Sequence, residues 1–481
     1  MLIKFLWGVL WRITAFSLVV GAGLWWANRA PDWRGNDIIA AGDTKVEGKA
    51  GLIVVALMQP ATFDPKFFDN FLDKLFGQVI PWPINVLAGA DTGIVLVDPT
   101  QPYMLKRFEP AKLADVWGRE ADVDGIPWIE KYRRGQLRWE KPSTTVPHDP
   151  GVFLFPERKQ GMRFAAAKTA IKARYIYYPT LPGGVLPHYA QTKAMAEGAV
   201  ALARKNHPAI IAGAVADAFD PYQKEQAIFG VLDSGVDTLI LASAQPIYSD
   251  FEELDGSFVS VHKSVEKWRK AHGGKPVKIV IAPYLASQSG FDALMIDHLA
   301  ATTPAAKAPG EKAMAIMSLH GLPPSLIKSD SWATRVARVE KRLKPQMLAV
   351  LRAKGYTRVE AHFASEGFGD TMEDPDNVIV SVRELWNRAA KEGFAVANAV
   401  PAEFLSENTD NLFAHSAIMF DNLPGYRTYQ GPPANTDWSK PFVRRFQLGA
   451  TQAIYAGSPG GATVPQQSAI LANAIGELFG T

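Results

Sequence analysis

The residue best placed to do chemistry in this sequence is a histidine that follows a predicted buried strand. His320 lies in the segment Ser318-Leu319-His320-Gly321-Leu322-Pro323-Pro324-Ser325, directly after the apolar run 313–317. Open α/β sheets bind ligands outside the carboxyl ends of their strands. Imidazole exchanges a proton near neutral pH and can also ligate a metal. We therefore interpret His320 as a catalytic or metal-binding residue, with an inert loop histidine as the alternative.

A row of carboxylates follows another predicted strand, 357–364. Glu366, Asp370 and Asp374 are spaced four residues apart, so they would share one face if this segment were helical. Such a row attracts a divalent cation. Pro375 limits the length of any helix here, and the alternative is an acidic, solvated loop. Because this strand and the one before His320 belong to one predicted parallel sheet, we expect the two groups at the same edge.

Strands and helices alternate regularly between residues 173 and 397, which predicts an α/β fold with parallel sheets flanked by helices. The predicted strands are 173–178, 209–215, 236–242, 277–282, 313–317, 357–364 and 394–397. The predicted helices are 190–206, 221–232, 259–271, 291–302, 332–354 and 378–391. The cycle restarts once, so we expect two similar lobes with a cleft between them.

The length of 481 residues exceeds a single domain, since cores split beyond roughly 250–300 residues. The predicted boundaries are a membrane anchor at 1–30, a linker at 31–50 and an N-terminal region of uncertain architecture at 51–165. A first lobe at 166–275, a second lobe at 276–430 and a C-terminal segment at 431–481 follow.

The N-terminus favours an uncleaved signal anchor. Residues 13–27 are uncharged and mostly apolar, and a span of about 20 residues would begin near Phe5. Lys4 and Arg12 precede most of the apolar run, so the positive-inside rule places the N-terminus in the cytoplasm. We therefore expect a single-pass protein of the inner membrane with its soluble part outside the cytoplasm. The alternative is a cleaved signal peptide.

Composition excludes several classes of function. A net charge of +3 without a long basic run argues against nucleic acid as a partner. The absence of cysteine excludes disulfides, thiolate metal sites and cysteine nucleophiles.

The two motifs together resemble the ferrochelatases and the related cobalt chelatases of cobalamin synthesis. The segment Ser318-Leu319-His320-Gly321-Leu322-Pro323 stands where the family has Ser-Ala-His-Gly/Ser-Leu-Pro. The family pattern Phe-x-Ser-Glu/Asp-His-Ile-Glu-Thr-Leu corresponds to residues 363–372, in which Glu366 matches the first acid. Asp370 matches the catalytic glutamate only with one inserted residue, and Gly367 replaces the family histidine. The resemblance covers residues 173–407.

This resemblance implies a lyase of the chelatase type, which inserts a metal ion into a tetrapyrrole, as in heme biosynthesis. His320 would be the proton acceptor or a metal ligand, with Asp370 or Glu366 as its acidic partner. The spacing of the carboxylates, rather than the resemblance, adds Asp374 to His320, Glu366 and Asp370 as a predicted metal ligand. The implied residues lining the cleft are Tyr248, Ser249, Tyr178 and His188. The metal, iron or cobalt, would be a substrate, and no dissociable organic cofactor is expected.

Two other interpretations stay open at this stage. The chain could be a membrane-tethered tetrapyrrole or metal carrier without catalytic activity, which the Gly367 replacement favours. It could also be a structural subunit of a membrane complex.

Overall fold

The structure is a computed structural model. It describes residues 2–27, 45–62, 91–97, 105–108, 137–139, 152–158, 181–322, 330–366, 381–414, 432–433 and 435–480. Three predicted site residues, Tyr178, Asp370 and Asp374, lie outside these ranges, as does the predicted strand 173–178.

The described residues form eight α-helices and thirteen strands. The helices are α1 Leu2–Ala27, α2 Pro187–Asn206, α3 Pro221–Asp233, α4 Val259–Ala271, α5 Ser289–Thr302, α6 Trp332–Ala353, α7 Val382–Lys391 and α8 Val464–Gly476. The strands are β1 Ala50–Ala56, β2 Asp91–Val97, β3 Leu105–Phe108, β4 Leu137–Trp139, β5 Val152–Arg158, β6 Ile210–Asp217, β7 Thr238–Ser243, β8 Lys278–Ile281, β9 Lys312–Leu319, β10 Arg358–Ser365, β11 Val396–Pro401, β12 Arg444–Leu448 and β13 Thr451–Tyr455. This arrangement confirms the predicted α/β class with parallel sheets flanked by helices.

The first sheet is wholly parallel and has the strand order β6-β1-β7-β8. Its central strand, β1, is buried over its whole length, which explains its continuous apolar sequence. Burying a Leu, Ile or Val side chain stabilises a fold by about 1.5–3 kcal/mol. Two strands differ from the predicted boundaries: β1 belongs to this sheet rather than to the N-terminal region, and β8 closes this sheet rather than opening the second lobe.

The second sheet has the order β10-β9-β11-β13-β12, in which only β12 runs antiparallel to its neighbour. The strands β12 and β13 come from the predicted C-terminal segment, so that segment completes the second lobe. A third sheet, with the order β3-β2-β5-β4, lies within the predicted N-terminal region.

A continuous apolar core joins the first and second sheets. It contains side chains of β1 and β7 from the first sheet, of β9 and β11 from the second, and of the helices α2, α5, α6 and α8. Helix α8 packs closely against α2, where a Cβ atom on Gly198 would stand 2.5 Å from Ser468 Oγ. The two sheets are therefore packed into one body, and the positions of their edges are fixed relative to each other.

The prediction of a transmembrane helix is not supported. None of the helices in the described residues is both long and apolar enough to cross a membrane. The placement of the rest of the chain outside the cytoplasm stays a prediction.

Candidate active site at the strand ends

Both sheets have a crossing point in their strand order. In the first sheet the chain passes from β1 to β6 on one side and then to β7 on the other side of β1, so the crossing point lies between β1 and β7. In the second sheet it passes from β9 to β10 on one side and then to β11 on the other, so the crossing point lies between β9 and β11. Loops leave the carboxyl ends of such strands in opposite directions and open a crevice that binds ligands. The candidate site lies around the second of these crevices.

His320 follows β9 directly and is fixed by the loop after β11. Its backbone N–H donates to Glu403 Oε2 at 2.7 Å, and the other oxygen of Glu403 accepts from Trp332 Nε1 at 2.5 Å. The imidazole meets the Phe404 ring edge-on, with 5.7 Å between ring centroids. Its Nδ1 lies 2.8 Å from the carbonyl oxygen of Gly321, so Nδ1 carries the hydrogen. In the neutral ring, Nε2 is then the nitrogen that can accept a proton.

The charges of three carboxyl groups act on this imidazole. Burial by itself lowers the pKa of His320, but the charges of Glu252, Asp410 and Glu403, together with the Gly321 carbonyl, raise it above its usual value. Burial also raises the pKa of Glu252, with Asp410 adding to this effect and His320 opposing it. Burial raises the pKa of Glu403 to about 7, against the opposing effects of Trp332 and His320. His320, Glu252 and Glu403 therefore all have a pKa above the usual value for their type, and that of Glu403 lies near neutral pH.

Two of these carboxylates are presented by π-helical segments. Glu252 lies in Asp250–Phe258 and Asp410 in Asp410–Ala414. Wide helical turns of this kind are rare and occur frequently at functional sites. Ser249 begins the first segment by accepting a hydrogen bond from the Glu252 backbone N–H at 2.8 Å.

A second set of contacts holds the first π-helical segment against the second lobe. Asp250 accepts hydrogen bonds from the backbone N–H of Ser331 at 2.8 Å and from its hydroxyl at 2.5 Å. Arg335 lies 3.3 Å from the same carboxylate and donates to the carbonyl oxygen of Tyr248 at 2.7 Å. These bonds fix Glu252, on the first lobe, relative to His320 on the second.

The predicted partner Glu366 is buried, and its backbone N–H donates to the carbonyl oxygen of Leu319, the residue before His320. It is 1% exposed, accepts a short hydrogen bond from Ser318 Oγ and lies 3.2 Å from the Tyr455 hydroxyl. Ser318 lies in β9, two residues before His320. The structure thus brings Glu366 to the strand of His320 through Ser318.

The predicted cleft residues Tyr248 and Ser249 are both buried, and their role in lining a cleft stays a prediction. Tyr248 is 3% exposed, packs edge-on against Phe258 and accepts a hydrogen bond from the Ser243 backbone N–H. Ser249 is 2% exposed and donates its hydroxyl to Glu253. Ser249 caps the start of the π-helical segment, and the Tyr248 hydroxyl is bonded to the end of β7.

His188 joins the two lobes. Its Nε2 donates to the Leu57 carbonyl oxygen at 2.8 Å, and its Nδ1 lies 2.7 Å from Ser406 Oγ and so accepts from that hydroxyl. Burial lowers the pKa of His188, which keeps the ring neutral and suited to these two bonds. His188 therefore links the two lobes through two hydrogen bonds. The charge of Asp410 also acts on the ring and opposes the lowering of its pKa.

Three residues of the site were missed by the sequence analysis: Glu252, Glu403 and Asp410. Each follows a predicted strand of the α/β alternation, so the same edge argument that selected Glu366 could have selected them. Within the described residues, no group of three His, Asp or Glu side chains is arranged to hold a metal ion. The predicted metal set of His320, Glu366, Asp370 and Asp374 is described only for its first two members.

No protein-family model and no curated protein matches this chain. Among solved structures it is similar to SirB from Bacillus subtilis with Fe3+, at 11% identity and a TM-score of 0.35 over 60% of this chain and 90% of that chain. The sirohydrochlorin chelatase SirB from Bacillus subtilis subspecies spizizenii in complex with cobalt gives 9% identity and a TM-score of 0.31, over 60% and 89%. A periplasmic ribose ABC transporter from Conexibacter woesei gives 12% and 0.21, over 44% and 59%. At TM-scores this low, the similarities assign neither a family nor an activity.

Proposed function

We propose that this chain inserts a divalent metal ion, iron or cobalt, into a tetrapyrrole, with His320 as the proton acceptor. One observation carries the proposal: a partly exposed imidazole lies at the crossing point of the second sheet, with Nε2 as its accepting nitrogen and with the Glu403 carboxylate bonded to its backbone N–H. The sequence motif around His320 supports the same conclusion independently.

The chemistry of insertion suits this set of groups. Two pyrrole N–H protons must leave as the metal enters, and a neutral imidazole is a competent acceptor. The raised pKa of His320 makes it a stronger base, and the carboxylates of Glu252 and Asp410 stabilise the imidazolium that forms. The same carboxylates attract the metal cation, because oxygen ligands suit hard and borderline divalent ions. Glu403 holds the backbone of His320 in place through its hydrogen bond.

A tetrapyrrole carrier without turnover is the second candidate function. Its supporting observation is the burial of Glu366, whose carboxylate is engaged by Ser318 and Tyr455. A carrier would use the same crevice for the macrocycle but would not need an exposed carboxylate from that segment.

The test is an insertion assay with purified full-length protein, a free-base porphyrin and ferrous or cobaltous ion, followed by the shift of the Soret band. We expect insertion above the uncatalysed rate, and we expect His320→Ala to lower it by about a hundredfold. His272→Ala is the matched control, because this exposed histidine lies at the end of α4 beside Asp233. Porphyrin binding without insertion supports the carrier, and no binding supports a structural subunit. A wild-type protein without insertion refutes the enzyme.

A further inference from the structure

A buried polar network lies behind Glu366 and is built by the C-terminal strands. Tyr455 is the last residue of β13, and its hydroxyl is 3.2 Å from each carboxylate oxygen of Glu366. Tyr455 and Glu366 are 0% and 1% exposed. In the sheet, β9 and β11 separate β13 from β10, the strand that Glu366 follows. The carboxylate therefore reaches across the ends of the two strands that define the crevice.

Arg444, on β12, holds Tyr455 from the other side. Its guanidinium lies 4.5 Å from the centroid of the Tyr455 ring and donates to the Asn411 carbonyl oxygen at 2.9 Å. The Asn411 side chain oxygen is 3.3 Å from the Tyr455 hydroxyl. Burial, and then the charge of Glu366, raise the pKa of Tyr455 well above its usual value, so the phenol stays neutral and remains a donor.

Burying charged and polar groups in a core carries a desolvation penalty. Well-packed apolar residues are often as stable as buried charged groups, or more so. What the polar groups supply here is a fixed orientation, since the Glu366 carboxylate is held between Ser318 on β9 and Tyr455 on β13. Arg444 on β12 and Tyr455 on β13 belong to this network, and both lie beyond the region 173–407 that carries the family resemblance.

We propose that Tyr455 is a positioning residue for Glu366, holding its carboxylate against Ser318 at the end of the strand that carries His320. This inference rests on the proposed function, and within it on the role of acidic partner to His320 that the family resemblance implies for Glu366. Tyr455 acts through Glu366 and does not touch the substrate.

The test is a double-mutant cycle on kcat for metal insertion with Tyr455→Phe, Glu366→Gln and the double variant. We expect Tyr455→Phe to lower kcat by about tenfold with KM for porphyrin and metal unchanged, because misplacing a reacting group slows the chemistry without weakening binding. Glu366→Gln should lower kcat further, and adding Tyr455→Phe to it should cause no additional loss. Tyr356→Phe is the matched control, since this buried hydroxyl donates to the Pro304 carbonyl oxygen away from the site.

A second cycle measures urea unfolding of the same variants without substrate, and we expect the two substitutions to be coupled there as well. Coupling in stability together with a wild-type kcat for Tyr455→Phe overturns the positioning role and leaves the proposed function standing. Additive losses in kcat overturn it too. A wild-type protein that inserts no metal overturns the proposed function and the positioning role together.

Discussion

Replacing the buried carboxyl group of Glu407 with an amide should change how the stability of the protein depends on pH. Glu407 is 3% exposed, and burial raises its pKa from 4.5 to about 7, although Arg444 and a hydrogen bond from the Ser458 backbone N–H oppose this rise. Its Oε1 accepts that hydrogen bond at 2.8 Å, while Oε2 has no hydrogen-bond partner in the described part of the chain. The folded protein therefore favours the neutral carboxyl group.

The magnitude follows from the two pKa values. Between pH 4.5 and about 7 the folded protein holds this proton while the unfolded chain has released it, so the free energy of unfolding falls as pH rises. Above pH 7 both states are ionised and the loss is complete. At 1.36 kcal/mol per pH unit, the total loss attributable to Glu407 is about 3 kcal/mol. Glutamine keeps an acceptor for Ser458 and cannot ionise, so Glu407→Gln removes this loss.

The assay is urea unfolding of both proteins at pH 5 and at pH 8. We expect similar stability at pH 5 and an advantage of about 3 kcal/mol for Glu407→Gln at pH 8. Other buried acids also contribute to the wild-type profile, but they are common to both proteins and cancel in the difference. The control is Glu197→Gln on the surface of α2, which should follow the wild-type curve. Parallel curves for wild type and Glu407→Gln would refute the reasoning.

Two further predictions concern the loop of His320. Glu252→Gln should move the acid limb of the kcat profile for insertion to lower pH, because Glu252 is the carboxylate that most raises the pKa of His320; an unmoved limb would contradict the contact across the lobes. Gly321→Ala should lower the free energy of unfolding by about 1–3 kcal/mol, measured in urea. Gly321 has a φ of +82°, and a Cβ atom there would lie 2.7 Å from Ser365 Oγ. Gly235→Ala, with a similar φ and no neighbour within 4 Å, separates the backbone cost from the steric one.

Much of the fold could be predicted from local patterns. The strands β1, β7 and β9 are apolar runs buried on both faces, and such runs are recognisable without knowing their neighbours. The helices α3 and α4 were predicted to within one residue of their ends. What local patterns do not contain is the pairing partner, which is why β1 and β8 were assigned to other regions. Strand pairing is decided by contacts that are distant in sequence.

In the candidate site, too, the features that are local in sequence could be predicted, and those that depend on distant contacts could not. The placement of His320 after a buried strand followed from the sequence, because the strand and its loop are contiguous. The groups that tune it come from the loops after β7 and β11, and their approach depends on how the two sheets pack. Tyr248 and Ser249 lie directly before a π-helical segment and are buried, and the sequence pattern indicates neither feature.

The basicity of His320 depends on the packing of the two lobes. Glu252, on the first lobe, is the largest of the charges that raise the pKa of this second-lobe imidazole. The lobes are joined by the contacts of Asp250 with Ser331 and Arg335. They are also joined by hydrogen bonds from the Ser406 hydroxyl to His188 Nδ1 and from the Thr409 backbone N–H to Gln59 Oε1. These bonds are made between groups of this chain itself, so the packing of the lobes sets the arrangement of the imidazole and its carboxylates. An electrostatic site organised in advance needs no rearrangement at the moment of reaction, which is where such sites gain most of their effect.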